Sequence, residues 1–123
     1  MSWQKQQINK AGGNTPDGPA TVTRPCVSVY NGQQHIGYRD SSGIVWDSFY
    51  RPDLGPHGTW ELQHMNGPNG NTPNDVGAVA GPFIGIYHDQ QHFAYIDAEG
   101  NIWDSWYDGS HWHLQRESRT TRQ

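Results

Sequence analysis

One stretch of the chain occurs twice, and this duplication limits the possible folds more than any other feature. Residues 33–50 (QQHIGYRDSSGIVWDSFY) and 90–107 (QQHFAYIDAEGNIWDSWY) align without a gap, each residue 57 positions from its counterpart. A fixed period of this kind is the signature of a repeat architecture, in which each repeat is one supersecondary unit. The chain is therefore predicted to contain two copies of the same small structural unit.

The chain length requires the two units to share one hydrophobic core, or to use one that a partner supplies. At 123 residues the chain has the length of one domain. Aromatic residues make up 12% of it, and it contains 15 Gly and 8 Pro, a mixture that suits short strands joined by turns around an aromatic core. We predict one domain over residues 1–123, with repeats at about 3–59 and 60–115 and a polar tail at 116–123.

Each unit is predicted to be a four-stranded antiparallel meander. The short apolar runs at 25–30 and 82–87 indicate strands buried on both faces. Two strands with alternating polarity follow, joined by the turn sequences Asp40-Ser41-Ser42-Gly43 and Asp97-Ala98-Glu99-Gly100. Three segments that begin with Trp, at 3–9, 60–66 and 112–115, are predicted as further strands, so one outer strand is surplus.

A meander of this size matches one blade of a β-propeller. Two blades cannot close a ring, since propellers have about four to eight. The sequence therefore predicts an all-β protein whose copies oligomerise to complete the propeller, and three copies would give six blades by arithmetic alone. The surplus segment 3–9 is then available to pair with the sheet of a neighbouring chain and cover its edge.

The repeated pattern, Gln-His-x-x-Tyr-x-Asp-x-x-Gly-x-x-Trp-Asp-x-x-Tyr followed by Trp-x-Leu-Gln, covers nearly the whole chain. It resembles the blades of lectin-like β-propellers, namely the tectonin type and the bacterial fucose-binding propellers. Their blades also have an Asp/Gly hairpin, an aromatic residue on the third strand and a Trp that opens the fourth. The resemblance implies a propeller that binds glycans.

Two repeated sets of side chains are candidates for that binding. Sugar C–H faces pack on aromatic rings while Gln, His, Asp and Arg bond the hydroxyl groups. The predicted ligand-binding residues are Gln34, His35, Tyr38, Arg39, Trp46, Asp47, Gln91, His92, Tyr95, Trp103, Asp104 and Trp106. The alternative is that the rings form the core between blades, and that the polar pairs hold neighbouring blades together.

Several classes of function are disfavoured by composition. The net charge of −4, with basic residues clustered only in the tail, argues against nucleic acid as a partner. Cys26 is the single cysteine, so no disulfide within the chain is possible. The sequence has no long apolar run and no signal-peptide pattern, which predicts no membrane insertion and a cytoplasmic protein, or one released without a signal peptide.

No cofactor or metal is expected. His111 and His113 share one face of a strand, but no third ligand accompanies them, and zinc requires three or four. The function predicted from the sequence is that of a non-enzymatic, multivalent lectin. Two alternatives stay open: a structural or protein-interaction propeller, and a small enzyme that uses the repeated His and Asp as an acid–base pair.

Overall fold

The chain folds into two four-stranded antiparallel sheets. The computed structural model describes residues 3–116. The first sheet contains β1 (Cys26–Tyr30), β2 (Gln33–Arg39), β3 (Val45–Arg51) and β4 (Thr59–His64), and the second contains β5 (Ala78–Tyr87), β6 (Gln90–Asp97), β7 (Ile102–Tyr107) and β8 (Trp112–Arg116). Strands that follow each other in the chain are hydrogen-bonded neighbours. The all-β prediction and the two meanders are confirmed. Of the predicted polar tail at 116–123, Arg116 ends β8, and residues 117–123 lie outside the described residues.

Sheet membership differs from the sequence period at one strand. Trp60 opens the second 57-residue period, but its strand β4 pairs with β3 and completes the first sheet. Residues 65–77 then lead to the second sheet. No helix within residues 3–116 is both long enough and apolar enough to cross a membrane.

The hairpin between β6 and β7 is held by one carboxylate. Asp97 Oδ1 accepts the backbone N–H groups of Glu99 and Asn101, both at 2.9 Å, and Oδ2 accepts the indole N–H of Trp103 at 2.9 Å. Gly100 takes the left-handed conformation, with a φ of 84°. The same carboxylate and indole bonds recur 57 positions earlier, in the first sheet.

Acid is expected to weaken the fold partly through this turn. The bonds from Trp103 and from the Asn101 backbone lower the pKa of the Asp97 carboxyl to about 2, below the 3.8 of an unperturbed aspartate. The stabilisation is therefore present above that ordinary pKa and is lost as the pH falls towards 2. In urea titrations from pH 6 to 2, the wild type should lose more stability than Asp97→Asn. Parallel pH profiles for the two proteins would contradict this.

The two sheets stack with opposite faces in contact. The front face of each sheet is defined here as the side that carries its His and Asp (His35 and Asp47, or His92 and Asp104), and the back face as the other side. β5 of the second sheet packs across β1, β2 and β3 of the first. The front face of the first sheet meets the back face of the second around Val45, Met65, Ala78, Phe93 and Tyr95, all buried.

Two predictions about strands are wrong for this chain. β1 and β5 are covered on one face only, where β1 is half-buried, and Val27, Val29 and Phe83 are largely exposed. The reason is that no described segment covers the β1 side of the back face of the first sheet or most of the front face of the second. Residues 3–9 do not form a strand either: Trp3 is fully exposed, and the segment makes one isolated bridge, between Asn9 and Thr15.

A buried asparagine joins the two sheets. The Asn66 side chain accepts the N–H of Val45 and donates to the carbonyl oxygens of Gly43 and Val76, each at 2.8 Å. Val45 and Gly43 belong to the hairpin of the first sheet, whereas Val76 lies just before β5. Asn66 therefore fixes the connection to the second sheet against the edge of the first.

Candidate functional site

A cleft of about 320 Å³ separates the two sheets at the end where the β1–β2 and β7–β8 turns lie. Its surface is more polar than apolar. The first sheet contributes Tyr30, Asn31, Gln33, His35, Phe49, Arg51 and Gln63, and the second contributes Gln91, Tyr107, Gly109 and Trp112. The cleft thus exists only because the sheets stack front to back.

The floor of the cleft is built on the first His–Asp pair. His35 Nδ1 lies 2.7 Å from Asp47 Oδ2, and its Nε2 lies 3.1 Å from Gln33 Oε1. Gln63 donates its amide N–H to the same Asp47 oxygen at 2.7 Å. Burial raises the pKa of the Asp47 carboxyl above its ordinary value, and the bond from His35 opposes that shift. The pair is therefore a fixed polar support beneath the cleft.

Aromatic rings line the cleft from both sheets. Phe49 stacks on His35 with ring centroids 4.9 Å apart. Tyr107 meets Tyr30 edge-on at 6.3 Å and packs against Trp112 at 5.2 Å. The Tyr30 hydroxyl donates to a carbonyl oxygen of the β5–β6 turn at 2.8 Å, which ties the two sheets together at this end.

Gln91 is the one cleft residue with a buried donor that has no partner. Its side chain is 1% exposed, and its amide nitrogen makes no hydrogen bond to any described residue. A buried donor without a partner destabilises a protein by about 1–3 kcal/mol. Such groups are rare in native structures and call for an explanation. A ligand in the cleft would provide one if the Gln91 side chain turned its amide nitrogen, which is closed to solvent here, towards the ligand.

The second sheet repeats the His–Asp arrangement on an open face. His92 Nδ1 lies 2.6 Å from Asp104 Oδ2, Gln90 Oε1 lies 3.0 Å from His92 Nε2, and Gln115 donates to Asp104 at 3.0 Å. Trp106 stacks on His92 at 5.3 Å. His92 is 20% exposed, whereas His35 is 2% exposed. The same His–Asp pair is thus buried in the first repeat and partly exposed in the second.

Ten of the twelve sequence-predicted site residues fall into four groups. His35 and Gln91 line the cleft, while His92, Asp104 and Trp106 lie on the open front face of the second sheet. Trp46 and Trp103 bond the carboxylates of the hairpin turns. Tyr38, Asp47 and Tyr95 are buried outside the cleft lining. Gln34 is exposed on the back face, and Arg39 reaches towards the Ala78 carbonyl at 3.4 Å. The structure does not bring all twelve together.

Several cleft residues were missed as site candidates: Tyr30, Asn31, Gln33, Arg51, Gln63, Tyr107 and Gly109. Gln33 and Arg51 alternate in phase with His35 and Phe49, so strand periodicity contained the signal for them. Phe49 and Trp112 are aromatic residues of predicted strands, so the sequence shows the ring type that each brings to the cleft. Tyr107 comes from the opposite face of the other sheet, and only the stacking reveals its place.

The comparisons with known proteins assign no family. No family model matches the chain, and neither a curated protein nor a solved structure matches it significantly. Within residues 3–116, no three His, Cys, Asp or Glu side chains are grouped so that they can hold a metal ion. The polar groups that line the cleft include amides and the Arg51 guanidinium, beside aromatic rings.

Proposed function

We propose that the protein binds carbohydrate, and that the cleft between the sheets is the site. The observation that carries this proposal is the combination of aromatic rings from both sheets with the unpaired amide of Gln91. Sugars present apolar C–H faces and many hydroxyl groups, which suit such a lining. A volume of about 320 Å³ is at the small end for ligand sites and suits a small saccharide unit.

Arg51 stands at the rim of the cleft without a strong preference for an anion. Its guanidinium lies 2.9 Å from Asp53 and 3.8 Å from Glu61, so two carboxylates offset its charge. Its remaining N–H groups are donors for a neutral hydroxyl. The proposed ligand class is therefore glycans in general, with neutral sugars favoured over acidic ones.

The two rival functions receive different support. The burial of His35 and Asp47 between the sheets supports a structural role for that pair, as the interaction-module alternative requires. The enzyme alternative is less favoured, because both ring nitrogens of His35 and of His92 already have partners. A catalytic base needs a nitrogen within reach of the substrate proton.

We also propose that the sheets are blades, that further copies complete a propeller, and that the protein acts in the cytoplasm. The front-to-back stacking of the two sheets supports the blade assignment, because the same stacking step can be repeated by another chain. Several clefts on one particle would raise avidity well above the affinity of a single cleft.

The proposed function is tested by glycan-array binding together with light scattering. We expect saturable binding to one class of neutral glycans by a particle of several chains. A protein that binds no glycan on an array spanning neutral and acidic sugars would overturn the proposal. A single chain that binds saturably would retain the carbohydrate site and remove the ring.

Replacing Gln91 by methionine should separate binding from stability. Methionine has a similar shape but no N–H, so the destabilising unpaired donor disappears and the melting temperature should stay the same or rise. Affinity for the glycan should fall at least about tenfold, which is the loss of one good hydrogen bond. Isothermal titration and thermal melting measure the two effects. Gln4→Met, an exposed change outside the cleft, is the control; unchanged affinity in Gln91→Met would contradict the site.

A further inference from the structure

One front face and one back face of the two sheets stay open in the chain, and a front face and a back face are also what pack together between the sheets. The front face of the second sheet has a groove of about 390 Å³ that includes Phe83, Ala94 and Ile102. The back face of the first sheet has a groove of about 300 Å³ that includes Pro25 and Ile36. Within the chain, a front face already packs on a back face, so the two grooves are complementary in kind. They cannot meet within one chain, because they lie on opposite sides of the stack.

The segment that leads into the first sheet repeats the hydrogen bonds of the segment that leads into the second. It lacks the bonds that Asn66 makes to the hairpin of a preceding sheet. Asn9 donates to Pro19 O at 2.8 Å, as Asn66 does to Val76 O, 57 positions later. Thr15 donates its backbone N–H to Ile8 O at 2.7 Å, and its hydroxyl pairs with a serine of the sheet at 2.8 Å. The corresponding threonine bonds recur in the second connection.

Asn66 makes two further bonds that Asn9 does not make within the described chain. They go to the hairpin of the preceding sheet, at Gly43 O and Val45 N. No described sheet precedes Asn9, so its side chain has no hairpin to bond. The counterparts of Gly43 and Val45 are Gly100 and Ile102, 57 positions later. They lie in the hairpin of the second sheet, where Ile102 is substantially exposed.

The side chains on the two open faces have changed in a compensating way. Inside the chain, a Cβ on Gly37 would lie 3.0 Å from Ile84 Cδ1, so only glycine fits comfortably there. On the open faces, the counterpart of Gly37 is Ala94 and the counterpart of Ile84 is Val27. Ala94 has the methyl group that Gly37 lacks, whereas Val27 lacks the δ carbon with which Ile84 would crowd a methyl group at position 37. The summed volume is conserved, as packed interfaces require.

We propose that the front face of the second sheet docks on the back face of the first sheet of a second copy. Asn9 of that second copy then bonds the Gly100–Ile102 hairpin of the first. This deepens the blade assembly proposed above and rests on it. The contact between the two copies is called the joint. Residues 3–7 correspond to part of β4, 57 positions later, but they cannot pair with β7 of the other copy, because β8 already occupies that edge. Only Ile8 and Asn9 of this segment therefore lie at the joint. A head-to-tail contact of this kind closes into a ring when the rotation allows it.

Ile102→Lys tests the joint from one side. Ile102 is exposed in the single chain, so lysine should leave the fold intact, but it would place a charge in the joint. Val79→Lys is the matched control, because Val79 is 52% exposed in the single chain and should stay exposed in the joint. Its counterpart Val22 shows this: the front face of the first sheet is covered, yet Val22 is 53% exposed. Light scattering should give a multiple of 13.9 kDa for the wild type and Val79→Lys, and the mass of one chain for Ile102→Lys.

The outcomes separate the joint from the rest of the proposed function. A wild type that stays a single chain would overturn the joint and the blade assembly together, while glycan binding by the cleft would stand. An Ile102→Lys variant with the wild-type mass would overturn this joint and leave assembly by another surface. Asn9→Ala tests the anchor from the other side: at least about a tenfold weaker association is expected, and unchanged association would remove Asn9 from the joint. In all three variants the cleft within one chain should keep its affinity for a single glycan.

Discussion

Replacing His35 by alanine is expected to lower the free energy of unfolding by about 3–5 kcal/mol, because it removes a hydrogen-bond partner of the buried Asp47 carboxyl and leaves a cavity where the buried ring was. Without the imidazole, the buried Asp47 carboxyl keeps the Gln63 amide as its side-chain partner. The same change at His92 should lower it by about 1 kcal/mol or less, because that pair is partly solvated in the single chain. The two variants remove the same group from the same local arrangement, so their difference reports burial.

The comparison requires single chains, since the proposed joint would cover His92. Both variants are therefore made with Ile102→Lys present, and urea unfolding is measured at a concentration where light scattering gives one chain. Equal destabilisation by the two changes would contradict the stacking of the first sheet's front face against the second sheet. In assembled protein, His92→Ala should weaken association instead, because the joint would bury the pair.

Asn66→Ala is expected to be at least as damaging, with a loss of about 3 kcal/mol or more. The change leaves three backbone groups, at Gly43, Val45 and Val76, without their side-chain partner. Each unpaired buried group costs about 1–3 kcal/mol. A loss of this size is a large fraction of the 5–15 kcal/mol that stabilises a typical domain. Unfolding by urea, followed by tryptophan fluorescence, measures it.

Asn9→Ala in the same single-chain background is the matched comparison. Asn9 is only half-buried, and its side chain donates one hydrogen bond, to Pro19 O. Its loss should be about 1 kcal/mol. If Asn66→Ala destabilised the chain no more than Asn9→Ala, Asn66 would not be the residue that fixes the two sheets against each other.

The meanders were predictable because their information is local. Strand alternation and the Asp and Gly of the turns act between residues close in sequence, so the β2–β3 and β6–β7 hairpins follow from the pattern. The 57-residue period then predicts the same hairpin twice. The strand prediction for residues 3–9 failed because strand formation there depends on more than the local pattern. Its Trp-x-x-Gln pattern is that of β4, but a strand also needs a neighbouring edge, and the single chain provides none.

The site was only half predictable. His35 and Gln91 belong to the repeated Gln-Gln-His element, and the sequence singles them out. Their separate roles cannot be read from it, because corresponding residues of the two repeats are nearly identical in type. His35 and His92 differ in burial only through what lies against each sheet, and that depends on packing between distant parts of the chain.

The sequence by itself determined that two equivalent antiparallel units form, and which side chains share a face, since period-two alternation in a strand leaves no other arrangement. The tertiary structure alone decided that the front face of the first sheet is covered by the back face of the second. That stacking buries one His–Asp pair, leaves the other open and creates the cleft from residues of both sheets. The physical reason is that burial and cavities arise from contacts between surfaces, and the pattern along one strand does not record which surface it will meet.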